Sequence, residues 1–212
     1  LNLPMSDIRV TAARIGGGFG GKGEITIEPI PAMLALKTRR PVKIEMTRQE
    51  DFLSATPRHA MQITLKTGVK KDGTLLAMQA RIQVDTGAYA YFGPNTTSNA
   101  VILITGPYRI PNLLTEGFCA YTNKISCGPC RGPGAPQVHF AAETQMDRIA
   151  ARLGIDPIEL RMKNALEAKD LTATGQVLTE GGYLEALAQL KKYMGEHLTV
   201  LPGAAEGKAF GV

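Results

Sequence analysis

The sequence predicts an α+β fold with mixed strands, a long β-hairpin, and helices concentrated in the C-terminal half. Three observations predict it. Met61, Ile63 and Leu65 alternate with Gln62, Thr64 and Lys66, and Leu76, Met78, Ala80, Ile82 and Val84 alternate with Ala77, Gln79, Arg81 and Gln83. That period of two marks half-buried strands. Between the runs lies Lys70-Lys71-Asp72-Gly73-Thr74, whose Asp-Gly pair is a strong hairpin-turn signal. Later, Val138, Ala142, Met146, Ile149 and Leu153 fall on one face of a helix.

The other elements follow in order. Ile8 to Ile15 is rich in β-branched residues and reads as a strand. Gly16 to Gly23 cannot be regular structure, because glycine destabilises element interiors. A helix is expected around Pro31 to Lys37, with Pro31 in its first turn, where a missing N–H is harmless. Pro41 to Met46 reads as a strand, and Leu113 to Asn123 as another. The longest apolar run, Ala100 to Ile104, is strand-sized. The helix from Gln137 to Leu153 has a C-terminal cap in Gly154. Asp156, Pro157 and Glu159 supply N-cap, N1 and N3 of a capping box for a helix through about Leu166. A last helix is expected from Tyr183 to Met194, stopped by Gly195.

Composition excludes several classes. The 212 residues are 44% hydrophobic, enough for a real core. No apolar run approaches the roughly 20 residues of a membrane span. The net charge of +5 comes from scattered Lys and Arg rather than from blocks, so it gives nucleic-acid binding little support. Three cysteines and no visible signal peptide suggest a reducing cytoplasm and free thiols. The chain starts at Leu1 and ends at Phe210-Gly211-Val212, so a piece of a longer polypeptide is expected.

The richest stretch is Gly16-Gly-Gly-Phe-Gly-Gly-Lys-Gly23, six glycines in eight residues. Gly16, Gly18 and Gly21 satisfy a dinucleotide-binding fingerprint, and Glu45 closes the next expected strand as the acidic residue that fingerprint wants. An NAD- or FAD-binding module is therefore one reading. The phosphate-loop pattern fails, because Gly23 stands where a Ser or Thr hydroxyl must meet Mg²⁺. The physics common to both is close approach of backbone N–H groups to an anionic or strongly polar ligand. The plain alternative is a turn needed only for chain reversal. Phe19 is out of place in such a turn.

The second unusual stretch is Ser126-Cys-Gly-Pro-Cys-Arg-Gly-Pro-Gly-Ala-Pro-Gln137. Cys127-Gly-Pro-Cys130 spells a thioredoxin-type motif, but that chemistry needs the first Cys at a helix N-terminus. Gly132, Pro133, Gly134 and Pro136 forbid a helix there. Zinc would need four ligands, and Cys119, His59, His139 and His197 lack ligand spacing. Arg131 is a fixed cation among residues of little bulk, able to donate several hydrogen bonds to an anion or metal-oxo group. Equally, it reads as a surface Arg in a proline-rich turn.

Taken in order, Gly16-Gly-Gly-Phe-Gly-Gly-Lys22, Arg39-Arg-Pro-Val-Lys43, Lys71-Asp-Gly-Thr74, Pro107-Tyr-Arg-Ile-Pro-Asn112, Arg131-Gly-x-Gly-x-Pro-Gln137 and Leu153-Gly-x-Asp-Pro-x-Glu-Leu-Arg161 form a specific series. The series resembles the large subunit of the molybdenum hydroxylases: xanthine dehydrogenase, aldehyde oxidoreductase and aerobic carbon monoxide dehydrogenase. It runs from about Met5 to Asn164. The resemblance implies a fragment of a molybdenum cofactor-binding domain. Residues 1–170 would belong to the first molybdopterin-binding region, and 171–212 would lead to a second, missing half.

The resemblance also implies chemistry. The family inserts a water-derived oxygen into a substrate C–H bond, and electrons leave through iron–sulfur clusters and FAD on other domains or subunits. The cofactor would be molybdopterin, expected as its cytosine dinucleotide, with molybdenum. Gly18, Phe19 and Gly20 on one loop and Arg131 and Gly132 on the other would face it. No protein residue of the chain is expected to bind the metal directly. The family's catalytic Glu would lie outside this chain, so no catalytic residue is expected here and the isolated chain would be inactive.

Departures from the pattern bear on substrate. Xanthine dehydrogenases carry a Glu at the place of Gly23, an Arg at Asn99 and a Phe at Pro133, and losing all three argues against a purine. The copper-binding Cys of carbon monoxide dehydrogenases is Gly132 here. Partners implied are the rest of the large subunit, iron–sulfur and flavin subunits or domains, and a small-molecule substrate in the cytoplasm, with neither nucleic acid nor membrane.

Overall fold

A computed structural model, which describes residues 3–197, places a three-stranded sheet beneath a set of α-helices. β1 (Met61–Val69) and β2 (Leu75–Gly87) form the expected antiparallel hairpin, with Met61 opposite Val84 and Leu65 opposite Ala80. The Gly73 N–H donates to Lys70 O at 3.0 Å and the Lys70 N–H to Thr74 O at 2.9 Å. Gly73 takes φ +88°, and a Cβ there would stand 2.9 Å from Ile155 Cδ1 and from Leu160 Cδ1. Both the turn and the close approach require glycine.

From β2 the chain forms α3 (Gly93–Leu103) and returns as β3 (Asn112–Tyr121), parallel to β2. A parallel return needs a crossover element, and α3 is that element. The apolar run Ala100 to Ile104 therefore lies along this helix and its C-cap instead of forming a strand. Two glycines let α3 lie close on the sheet. A Cβ on Gly117 would come within 2.6 Å of Val101 Cγ2, and one on Gly93 within 2.2 Å of Thr86 Cγ2.

The core lies between one face of β2 and the helices. Met78, Ala80, Ile82 and Val84 pack with Ile104, Tyr108, Val138, Ala142, Met146 and Ala150, all nearly inaccessible to solvent. α4 (Ala135–Leu153) ends as expected at Gly154, φ +66°, whose N–H reaches Ala150 O. α5 (Pro157–Asn164) starts at Asp156, whose Oδ1 accepts from the N–H groups of Ile158 at 2.9 Å and Glu159 at 3.0 Å. The reciprocal half of the expected capping box is absent, because the Glu159 carboxylate pairs with Lys191 of α6 (Tyr183–His197). α5 stops short of Leu166: Ala165 is extended, and Asn164 Nδ2 donates to Gly73 O at 2.9 Å while its Oδ1 accepts from Leu75 N–H at 2.9 Å. Arg161, 1% exposed, ties α5 to α4 through Glu143 at 2.9 Å and Asp147 at 2.8 Å. The Tyr108 hydroxyl donates to the same Glu143 carboxylate at 2.8 Å.

Four expectations need correction. Ile8 to Ile15 and Pro41 to Met46 form no strand among the described residues. β-branched composition favours a pleated surface but cannot supply the neighbouring strand that satisfies its N–H and C=O groups. Ile8, Val10 and Ile15 stay exposed. α6 continues through Gly195, since one glycine costs a helix about 1 kcal/mol and does not by itself end it. A helix, α2 (Arg48–Ser54), stands where none was expected. Its signal is a complete capping box: Thr47 Oγ1 accepts from Glu50 N–H at 3.2 Å, and Glu50 Oε2 accepts from Thr47 N–H at 2.7 Å. The expected first helix is α1 (Pro29–Thr38), with Ile30, Met33, Leu34 and Leu36 exposed. Residues 198–212 of the expected C-terminal segment lie outside the described residues.

Candidate functional site

Beyond the C-terminal ends of β2 and β3, the two glycine-rich loops meet. The second loop is fixed first. The Cys127 N–H donates to Thr86 O at 2.9 Å, at the end of β2. Gly128 pairs with Arg58 in a single parallel bridge, and its N–H donates to Pro57 O at 3.0 Å. A Cβ on Gly128 would strike Thr56 Oγ1 at 2.5 Å. Gly134, φ +89°, lies so close to α3 that a Cβ would stand 2.7 Å from Thr96 O. Asn99 Nδ2 donates to Pro133 O at 3.2 Å.

The glycine loop docks on that platform. Gly21 N–H donates to Gly18 O at 2.9 Å and Gly23 N–H to Gly20 O at 3.0 Å, so two tight turns follow each other. Lys22 folds back, its Nζ donating to Gly17 O at 2.7 Å. Phe19 has φ +49°, a left-handed conformation uncommon for a bulky residue. Its carbonyl accepts from the Arg131 N–H at 2.8 Å. Gly20, φ +95°, lies against Pro129, where a Cβ would come 2.4 Å from the carbonyl oxygen.

The docked arrangement leaves donors free. The N–H groups of Gly18, Phe19, Gly20 and Gly132 meet no acceptor among the described residues, and neither does the exposed Arg131 guanidinium. Unpaired backbone amides and one exposed cation thus belong to two loops that touch, and such donors suit anionic oxygens. Of the residues singled out from the sequence, Phe19, Gly20, Arg131 and Gly132 are brought together. Gly23 lies near Pro129, and Asn99 and Pro133 touch each other.

The sequence reading missed the segment beneath. Arg58 Nη2 donates to Cys130 Sγ at 3.0 Å and to Arg131 O at 3.2 Å. His59, 2% exposed, sets Nδ1 3.5 Å from Thr96 Oγ1 and receives at its carbonyl the Gln137 Nε2 at 3.1 Å. Burial pushes the His59 pKa down, opposed by the Asp85 carboxylate. Arg58 Nη1, His59 Nε2 and Gln137 Oε1 are buried without a partner among the described residues. No periodicity or glycine marks Thr56-Pro57-Arg58-His59, so nothing local pointed to it.

The competing readings fail on geometry. Glu45 pairs with Lys43 at 3.1 Å on the surface, and the glycine loop joins no strand to a helix as a dinucleotide unit requires. The three cysteines are free, and burial pushes the Cys127 thiol up, against a reactive thiolate. Among the described residues no group of three His, Cys, Asp or Glu is placed to hold a metal ion. None of the described helices is long and apolar enough to cross a membrane.

The model of the molybdopterin cofactor-binding domain matches residues 1–165. The chain belongs to that family. It is 49% identical over 170 residues to a probable xanthine dehydrogenase component of Bacillus subtilis, covering 80% of this chain and 23% of that protein. It is 40% identical over 193 residues to the nicotinate dehydrogenase large molybdopterin subunit of Eubacterium barkeri, covering 91% and 45%. The solved aldehyde oxidoreductase of Desulfovibrio gigas superposes with a TM-score of 0.81 at 38% identity, over 85% of this chain and 20% of that one. The chain therefore spans less than half the length of these relatives. The dinucleotide-module reading finds no support among them.

The residues present suit such a cofactor. The loop amides and the exposed Arg131 guanidinium, none with an acceptor among the described residues, supply hydrogen-bond donors. Molybdopterin is anionic, and these groups are donors only.

Proposed function

We propose that this chain supplies cofactor-facing loops to a molybdenum hydroxylase whose whole length exceeds the chain. The observation that carries the reading is the docking of the glycine loop on the second loop through the Arg131 N–H and the Phe19 carbonyl, which puts residues with unpaired amides next to Arg131 in space. Gly18, Phe19, Gly20, Arg131 and Gly132 hold the cofactor. When bound, molybdopterin with its molybdenum supplies two-electron oxidation of a substrate C–H bond with oxygen from water. The chain's own residues bind and orient: Arg131 donates to an anionic or oxo group, and the strained Phe19 holds its peptide in the docked position. The exposed Phe19 ring presents an apolar wall beside the amides.

Gly23, Asn99 and Pro133 line the substrate side. None offers a charge, and Asn99 is already engaged by Pro133, so the substrate is a non-purine heteroaromatic ring or an aldehyde. Residues 1–170 form the first cofactor-binding region and 171–212 lead onward to the second. The cofactor is the cytosine dinucleotide form, electrons pass to iron–sulfur and FAD partners, and the enzyme works in the cytoplasm. The test is metal and pterin analysis of the purified full-length protein. About one molybdenum and one pterin per large subunit supports the reading, and absence of both overturns it.

A further inference from the structure

Residues 8–46 have the order of a strand–helix–strand unit but lack its sheet. Residues 41–46 hold no helix, turn or bend. Their side chains alternate: Val42, Ile44 and Met46 are half-buried, while Lys43 and Glu45 are exposed. Lys43 Nζ meets the Glu45 carboxylate at 3.1 Å, and residues two apart share a face in a strand but not in a helix. Ile8 opens the other stretch in extended conformation, φ −111° and ψ 121°. Residues 9–15 contain no helix, turn, bend or positive φ, and every residue from 8 to 15 is exposed. No backbone N–H or C=O of residues 9–15 or 41–46 is hydrogen-bonded among the described residues. Between the two stretches, α1 buries none of its residues, and Ile30, Met33 and Leu34 form an exposed apolar stripe at helical spacing. A helix of 10 residues is marginal in water and depends on packing. Strands on either side of such a helix lie parallel, and parallel sheets are covered on both faces and need more than two strands. β1, β2 and β3 form a separate sheet that includes neither stretch.

We propose that residues 8–15 are a docking edge on which an extended segment of the same large subunit, lying outside this chain, adds a strand by main-chain hydrogen bonds. The chain covers 23% of its Bacillus subtilis relative and 20% of the solved Desulfovibrio gigas enzyme, so most of a polypeptide of that length lies outside it. The edge is residues 8–15 rather than 41–46, because Val42, Ile44 and Met46 already rest against this chain, whereas residues 8–15 are exposed throughout. Ile8 and Val10 stand two apart on one face, so the incoming segment carries aliphatic side chains at alternate positions. Ile15 leads directly into Gly16. The added strand therefore fixes the entry of the glycine loop, while the Arg131 N–H holds the loop at Phe19. No dinucleotide site is restored by this sheet, because Glu45 pairs with Lys43 on the surface.

The test is amide hydrogen exchange, read by mass spectrometry, on the purified full-length wild-type protein. Peptides covering residues 9–15 are expected to exchange about a hundredfold or more slower than unprotected amides, as for strands that open only with their sheet. Exchange at the unprotected rate overturns the proposal. The occupant is read by a photo-cross-linking residue placed at Val10 of the full-length protein. A cross-link to a large-subunit peptide outside residues 1–212, in a product of single-subunit mass, supports the proposal. A cross-link to another polypeptide, to a second copy at doubled mass, or only within residues 1–212 overturns it. Where that variant does not fold, exchange in the wild-type protein decides. The same protection is expected in protein free of pterin, so this outcome and that of the cofactor reading are separate.

Discussion

The Arg131 N–H donates to the Phe19 carbonyl at 2.8 Å, joining the two glycine-rich loops by a single backbone hydrogen bond. Next to it Gly20 rests on Pro129 with no room for a methyl group. Gly20→Ala is therefore expected to destabilise the docked loop by about 2 kcal/mol or more, from a clash combined with a positive φ. Gly16→Ala is the control. Nothing lies within 4 Å of a Cβ there, so it is expected to be close to neutral. Cofactor content and limited proteolysis of the loop in the full-length variants check the pair.

Arg131 donates through its backbone alone, and its side chain has no partner among the described residues. Arg131→Met is expected to leave thermal stability within about 0.5 kcal/mol of wild type, as for a surface change away from structural features. Cofactor retention and turnover are expected to fall by about tenfold or more, the effect of removing one charge-assisted hydrogen bond. A melting curve beside a metal assay separates the two effects.

His59 is buried neutral, with its pKa held below the ordinary 6.5 mainly by desolvation. The unfolded chain binds its proton more readily than the folded one, so stability rises with pH in this window. The His59 contribution is constant above about pH 6.5 and falls as the pH drops from there toward the lower folded value. His59→Gln is expected to flatten that limb. Chemical denaturation over the mildly acidic to neutral range measures the slope, and an unchanged slope in the variant contradicts the assignment.

Arg161 is 1% exposed and holds both Glu143 and Asp147. Arg161→Ala leaves Glu143 and Asp147 without their cation where α4 meets α5. A cost of about 1.5–3 kcal/mol is expected, the range for losing hydrogen bonds to charged groups, because the carboxylates left behind are 34% and 61% exposed and water takes them up. Denaturant midpoints report it, with cofactor content falling only in proportion to folded protein.

What was legible in the sequence was whatever a local pattern encodes. The hairpin was visible because Met78, Ala80, Ile82 and Val84 alternate and Asp72-Gly73 turns. α4 was visible because Val138, Ala142 and Met146 repeat with helical period. The two loops were visible because glycine clusters are rare. Three things were hidden for physical reasons. Whether Ile8 to Ile15 becomes a strand depends on a neighbour, which no local pattern specifies. The run Ala100 to Ile104 is equally apolar as strand or helix, and the need for a crossover between parallel β2 and β3 decides it. Arg58 and His59 acquire meaning only through residues far along the chain, Cys130 and Gln137. Thr47 and Glu50 are a different case: their capping box is a local signal, but the helix it starts is too short to show a period.

The parallel pairing of β2 with β3 has a consequence for assembly. Thr86, at the end of β2, is the acceptor that anchors Cys127, and Asn99 and Thr96 of the crossover helix seat Pro133 and Gly134. The platform that receives the glycine loop therefore exists only after a long-range strand closure, the slow kind of event in folding. Phe19 and Arg131 can meet only on a finished scaffold. A chain in which β3 has not yet paired with β2 has no platform for the glycine loop, so the contact between Phe19 and Arg131 is among the last to form.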